Sequence, residues 1–404
     1  MPFSGDLEAP FPRQPAPLAV IEAQAMLALG RLDGALALCP EAVLRLFASR
    51  LLRHTLIAAL RQEGHTFTEQ RFNAWFAGLA TLVDDTPSLT RPRLARPPRA
   101  LCEAVLTELA HSSWEPLAGL AIRLQPVLLA PQDFSSEEEG HEEALRVIGE
   151  ARQLVDALTP GQAPLPLLSL ARLHHAVGQS ARFAPAERTS APTPIGGPIG
   201  GRLLTIERAP SPSPRWAVEL VVGEHWRAAG IVRFALPWLG LIRLDALRQD
   251  DDDPAAPRII RATALRDLAH ALFVKLADAA KVAARVASQL PGLRATSRAP
   301  ALFALLAGFG ALRSAQIESL LSATRLGVRS MLTALHDAGV LERTTVAGAL
   351  LYSVTLGDRP VPILSGPPDG FAFSSDALSE FDASMDNIAQ LLARSGTDLD
   401  DAEE

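Results

Sequence analysis

Two arginines four positions apart carry the most legible chemistry in this chain of 404 residues. They lie in QIESLLSATRLGVRSMLTALHDAGVLERTTV, from Gln316 to Val346. Its apolar residues Ile317, Leu321, Val328, Leu332 and Leu335 recur at helical spacing on both sides of a break at Ser322. Thr324 can cap the helix after the break, and Gly339 can end it. With the apolar stripe buried, Thr324, Arg325, Gly327 and Arg329 face outward on the leading turns. An arginine so placed can bind guanine through two parallel N–H bonds, and a threonine can meet a phosphate or a thymine methyl. Arg343, at the start of the strand-like run that follows, can reach a backbone phosphate. The partner implied is DNA.

The neighbouring residues predict the scaffold such a helix needs. Pro300 to Gly310 reads as a first helix, 315–321 as a second capped by Ser314, and the third runs to about Ala338. VLERTTVAGALLYSV reads as two short strands around Ala347-Gly348. Three helices and a hairpin make a winged helix-turn-helix, in which the third helix projects into the major groove while its far half packs on the first two. Such units carry a small residue in the second helix, then a tight-turn residue, then an apolar one. Here those slots hold Glu318, Ser322 and Val328. Two of them depart from the usual small residue and glycine. The hairpin tip has no basic residue, and residues 300–357 carry a net charge of only +1. That is a thin electrostatic footprint for a nucleic-acid binder.

This C-terminal part resembles the helix-turn-helix domain that closes a bacterial family whose larger N-terminal part is a domain of unknown function. That family is sometimes grouped with Fic/Doc-type proteins. ALGRLDGAL (Ala28–Leu36) and LLRHTLIAALRQEGHTF (Leu51–Phe67) are similar to its opening segments. The resemblance implies a DNA-binding transcriptional regulator. The His-Pro-Phe-x-x-Gly-Asn-Gly-Arg loop with which Fic enzymes hold nucleotide phosphates does not occur here, so that activity is not implied.

Other chemistry leaves no comparable trace. The only adjacent histidines, His174 and His175, would point about 100° apart on a helix, which suits no single metal ion. His141 lies in the acidic run SSEEEGHEE, whose carboxylates suit a helix N-terminus better than a metal. Cys39 and Cys102 lack metal-ligand spacing. TPIGGPIGG has no Lys-Ser/Thr to complete a phosphate-binding loop, and no nucleophile elbow, zinc-binding His-Glu-x-x-His or dinucleotide turn is found. No catalytic residue, metal or cofactor is therefore expected.

The elements that must position the arginines are mostly helical. Residues 18–38 and 41–63 predict two helices, with Gly64 as the stop. Thr68 can cap a third bearing Phe72, Trp75, Phe76 and Leu79 on one face. Further helices are expected near 98–113, 114–130 and 137–158. RLLTIER and RWAVELVVG read as strands, and Ile259–Leu290 as one long helix with Leu265, Leu268, Leu272, Leu276 and Val286 inward. The fold class is thus mainly α: a helical N-terminal domain, a small mixed α/β middle segment and a C-terminal winged helix-turn-helix. The boundaries fall at 1–17 (flexible arm), 18–183 (helical domain), 184–215 (Pro/Gly-rich linker), 216–298 (mixed segment), 299–357 (winged helix) and 358–404 (acidic tail).

Charge is distributed unevenly. The chain carries −7 in all, residues 369–404 hold −9, and the remainder sums to +2. Residues 258–298 carry +6, and Arg91, Arg93, Arg96 and Arg99 form a basic arm. Either could follow a phosphate backbone or simply face solvent. Phe371, Phe373, Leu378, Phe381, Met385, Ile388, Leu391 and Leu392 suggest an amphipathic helix over about 376–394. No run is apolar enough to span a membrane, and the N-terminus lacks the pattern of a signal peptide, so a cytoplasmic protein is expected. Three functions remain open. They are a DNA-binding regulator whose N-terminal helices dimerise or sense a partner, an interaction or scaffold protein of a chromosome- or plasmid-associated complex, and an unrecognised enzyme.

Overall fold

The computed structural model describes residues 18–79, 96–132, 137–158, 165–185, 213–247, 255–289 and 298–355, all within the unit Met1–Asp358. Among them the chain is mainly helical. In order come α1 (Leu18–Leu38), α2 (Glu41–Gln62), α3 (Glu69–Phe76), α4 (Pro98–Leu109), α5 (Glu115–Leu124) with a short 3₁₀ turn (Gln125–Val127), α6 (Glu137–Asp156) and α7 (Pro166–Gln179). Then follow α8 (Arg215–Ala228), the single turn α9 (Leu244–Leu247), α10 (Ala256–Gln289), α11 (Ala299–Phe309), α12 (Ser314–Leu320), α13 (Arg325–Asp337) and the strands β1 (Leu341–Val346) and β2 (Ala349–Val354).

α2 is the hub. It is buried on most of its circumference, with Leu46, Phe47, Leu51, Leu52, Leu56 and Leu60 almost wholly out of solvent, and it packs against α4, α5, α8, α10 and α11. Each such side chain contributes roughly 1.5–3 kcal/mol of transfer free energy. The helix stops where the chain turns left-handed at Gly64 (φ 89°), as expected of a glycine after a C-terminus. Thr68 caps α3, its hydroxyl accepting from the Arg71 amide at 3.2 Å. Phe72, Trp75 and Phe76 then enter the core together.

α10 lies along α1 and α2. Leu265, Leu272 and Leu276 are buried, Leu268 and Val286 partly so.

One sequence expectation is corrected. RWAVELVVG is not a strand but most of α8. Every residue from Trp216 to Gly223 is buried. A helix enclosed on all sides shows the same unbroken apolar run as a central strand, and the buried Glu219 carboxyl, whose pKa burial raises, is met by hydrogen bonds that sequence does not reveal. The middle segment accordingly holds helices and loops but no strand among its described residues; RLLTIER, the basic Arg91 and Arg93 and the amphipathic 376–394 lie outside them. The described residues of 18–183, 216–298 and 299–357 contribute to one continuous core. α11 sits so close on α2 that a Cβ added at Gly308 would come within 2.5 Å of the Ser49 Cβ. Phe309 meets Phe76 with ring centroids 4.9 Å apart.

Candidate nucleic-acid interface

The segment α11–β2 is built outward from that core. Arg298, just before α11, donates from Nη1 to the carbonyls of Leu321 (2.9 Å) and Ser322 (3.4 Å), tying the turn after α12. Ser314, expected as a cap, is instead the first residue of α12, and its hydroxyl donates to Glu318 at 3.1 Å. Gln316 takes the capping role. Its Oε1 accepts from the Arg313 amide (3.0 Å), while its buried Nε2 donates to the carbonyls of Val127 (2.8 Å) and Phe76 (3.3 Å). One side chain therefore caps α12 and fastens it to the helical body.

The break between α12 and α13 falls at Ser322, whose φ of 46° places it in the left-handed region that such a turn requires. Thr324 caps α13, its Oγ1 accepting from the Gly327 amide at 3.2 Å. Val328, Met331, Leu332 and Leu335 bury one face. The chain leaves α13 through Gly339 (φ 70°) and enters β1. β1 and β2 pair antiparallel from Leu341↔Val354 to Val346↔Ala349. Ala347 and Gly348 both take positive φ, 46° and 78°, which is the two-residue turn whose twist suits a hairpin. Leu312 adds a further rung, exchanging backbone hydrogen bonds with Tyr352 at 3.1 and 2.8 Å.

The outward face of α13 holds Arg325, Leu326, Arg329, Ser330 and Thr333, all exposed. Arg325 and Arg329 stand one turn apart, and neither meets a carboxylate among the described residues. Thr324 and Arg343 are exposed as well; Gly327 is half-buried. The Thr324 hydroxyl oxygen is occupied in capping, which leaves its proton and methyl group for a ligand. The start of α13 adds unpaired backbone N–H groups and the positive end of the helix dipole to the arginine pair. Leu326, between Arg325 and Gly327, is 75% exposed, a large apolar side chain at the centre of a polar surface.

The other basic stretches are largely paired with acids. On α10, Arg258 pairs with Glu22 (2.8 Å), Arg266 with Asp267 (2.8 Å) and Lys281 with Asp278 (3.3 Å). Burial pulls Lys275 and Arg261 below their usual pKa. Among the described residues of the +6 segment, Glu22 of α1 and α10's own Asp267 and Asp278 therefore offset part of the positive charge. Of the basic arm, Arg96 is tied to Glu63 (2.6 Å) and Glu143 (3.4 Å), and Arg99 to Glu103 (2.9 Å) and the Ala130 carbonyl (2.6 Å).

Away from this surface, α4, α6 and α8 enclose a cleft of about 350 Å³. Its floor is Leu109, Val155, Leu220, Val221, Ala235 and Pro237, and sequence reading gave no sign of it. Its rim is largely satisfied within itself. Arg152 pairs with Glu108 at 2.5 Å, and Glu224 accepts from the Ser112 hydroxyl (3.0 Å) and from the Ser113 amide and hydroxyl (both 2.7 Å). No group of three or more His, Cys, Asp or Glu among the described residues could hold a metal ion, and no described helix is long and apolar enough to cross a membrane. No protein-family model matches the chain, and no curated protein matches it in sequence.

Proposed function

We propose that α11–β2 acts as a winged helix-turn-helix that binds duplex DNA, with α13 in the major groove, and that the chain is a cytoplasmic DNA-binding regulator. One observation carries this reading. α13 presents Arg325 and Arg329 on successive turns, without carboxylate partners, on a helix whose opposite face is fixed in the core. Unpaired arginines in that geometry match the paired acceptors of guanine. The positive-φ turn at Ser322, the Leu312–Tyr352 rung and the hairpin support the same assignment, as does the likeness of residues 300–357 to the C-terminal helix-turn-helix of the bacterial family named above. Exposed Leu326 suits a thymine methyl between two arginine contacts. Arg343 on β1 serves as a phosphate contact.

The test is selection from a randomised duplex pool, followed by fluorescence anisotropy with the selected site. Replacing Arg325 or Arg329 by alanine is expected to cost roughly 1–3 kcal/mol and to relax preference at one base position. Arg343→Ala is expected to weaken all sequences alike and to lower the salt slope by about one. Absence of selection and of binding at roughly 50 mM salt, where phosphate contacts are strong, overturns the reading. One observation favours a second: a leucine 75% exposed at the centre of the surface is what a protein partner would cover. On that reading Leu326→Ala abolishes partner binding while no DNA is bound.

A further inference from the structure

The cleft between α4, α6 and α8 lies where all three helices end. α4 stops at Leu109, α6 at Asp156 and α8 at Ala228, and each of these residues lines it. A helix C-terminus carries the equivalent of about half a negative charge, felt within its last turn. Lysine, arginine or histidine in that turn would ordinarily offset it. The last turns of α4 and α6 hold none. That of α8 holds His225 and Arg227, and Arg227 is already paired with Glu224 (3.4 Å). Burial holds His225 below its usual pKa of 6.5, against the pull of Asp156, so at neutral pH it adds no charge. The side chains of the rim have the same sign. Arg152 is committed to Glu108 (2.5 Å), whereas Asp156 is exposed and meets no cationic partner among the described residues. His111 donates from Nδ1 to the Thr107 carbonyl (2.8 Å), which in the neutral ring leaves Nε2 as a further acceptor. Beneath lies the apolar floor. The volume, about 350 Å³, is at the small end of ligand sites, which run from roughly 300 to 1,000 Å³.

We propose that this cleft binds a small organic cation, an ammonium group on an apolar body of a single ring, with Asp156 as its counter-ion. An ammonium has three N–H donors and no acceptor, which matches a rim whose spare groups are acceptors. The apolar body lies on Leu109, Val155, Leu220 and Val221 and displaces water from them. An anion of the same size would face the three helix ends and Asp156. Arg152 and Arg227 could turn to it only by leaving Glu108 and Glu224. A neutral ligand would use the floor alone and gain nothing from Asp156 or the helix ends. The site stands whether or not α13 binds DNA.

Isothermal titration calorimetry of the full chain at neutral pH tests this with three probes of nearly one shape. They are phenethylamine, a cation; phenethyl alcohol, which is neutral; and phenylacetate, an anion. The amine is expected to bind with a dissociation constant below about 1 mM, the alcohol at least about tenfold more weakly, and phenylacetate more weakly than the amine. Asp156→Asn is expected to weaken the amine about tenfold and to leave the alcohol unchanged. Ala228→Trp sets a large side chain over the cleft and should weaken amine and alcohol alike. Both positions are exposed, so circular dichroism should show both variants folded. An amine that fails to bind at about 5 mM, that binds no tighter than the alcohol or phenylacetate, or that is indifferent to Asp156→Asn or to Ala228→Trp overturns the proposal.

Discussion

Replacing Gly223 by alanine should destabilise this protein strongly, although the same replacement in an open helix interior stabilises. Alanine is favoured over glycine in a helix by about 1 kcal/mol. At Gly223, inside α8, the new Cβ would lie 1.9 Å from the Leu236 carbonyl oxygen and 2.8 Å from its carbon. Those are backbone atoms and cannot rotate aside. The 236–242 segment must therefore lift by more than about 1 Å, and overpacking of that kind costs roughly 1–3 kcal/mol or more. The lift also strains what holds the segment down. The Trp238 amide donates to the Glu219 carbonyl (2.8 Å), and the amides of Gly240 (2.9 Å) and Ile242 (2.6 Å) donate to the Glu219 carboxylate. Hydrogen bonds to a carboxylate contribute roughly 1.5–3 kcal/mol each. Losing about one of them, with the overpacking and less the propensity gain, leaves a net loss of roughly 1.5–5 kcal/mol. Urea unfolding followed by circular dichroism measures it. Gly149→Ala in α6, where an added Cβ meets nothing within 4 Å, is the matched control and should gain up to about 1 kcal/mol. If both variants gain stability, α8 and the 236–242 segment do not approach as described.

Gln316→Ala leaves the Phe76 and Val127 carbonyls without their donor and removes the cap of α12; a loss of about 2–4 kcal/mol by the same unfolding assay is expected. Burial lowers His54 and His174 from 6.5 to about 4, with Lys275, Arg61 and Arg53 adding to the effect at His54. The unfolded chain therefore binds protons that the folded chain refuses between pH 6.5 and about 4. Stability should fall as pH drops through that window, by up to ~1.4 kcal/mol per unit for each histidine. His174→Leu should flatten that slope in urea titrations across the window, and an unchanged slope would show that this imidazole is not buried neutral. Deleting residues 369–404 removes −9 and leaves +2. If the tail competes with DNA, binding should strengthen, most at low salt, because the attraction is screened over a Debye length of about 10 Å at 0.1 M. Equal affinities of deleted and full chains at about 50 and 200 mM salt would exclude that competition.

What this sequence determined by itself is what short segments decide. The caps Thr68 and Thr324, the stops Gly64 and Gly339 and the Ala347-Gly348 turn need only a few neighbouring residues to be favourable. Each was legible, as were α2, α3, α10 and α13 from their spacing of apolar residues. Ser314 was not, because Gln316 outcompeted it with donors that reach Phe76 and Val127, far back in the chain. Tertiary structure decided the rest through partners that no local pattern names. Gln62 finds Glu219 at a separation of 157 residues, and Arg50 finds the Ala307 carbonyl at 257. Such pairs hold α8, an apparent strand in sequence, in a core shared by distant segments. They also bound Arg96, Arg258 and Arg266, which in sequence look as free as Arg325 and Arg329. Net charge counts residues, but availability depends on which carboxylate folding brings within about 4 Å. α10 met Glu22 of α1, whereas the outward face of α13 met no carboxylate among the described residues.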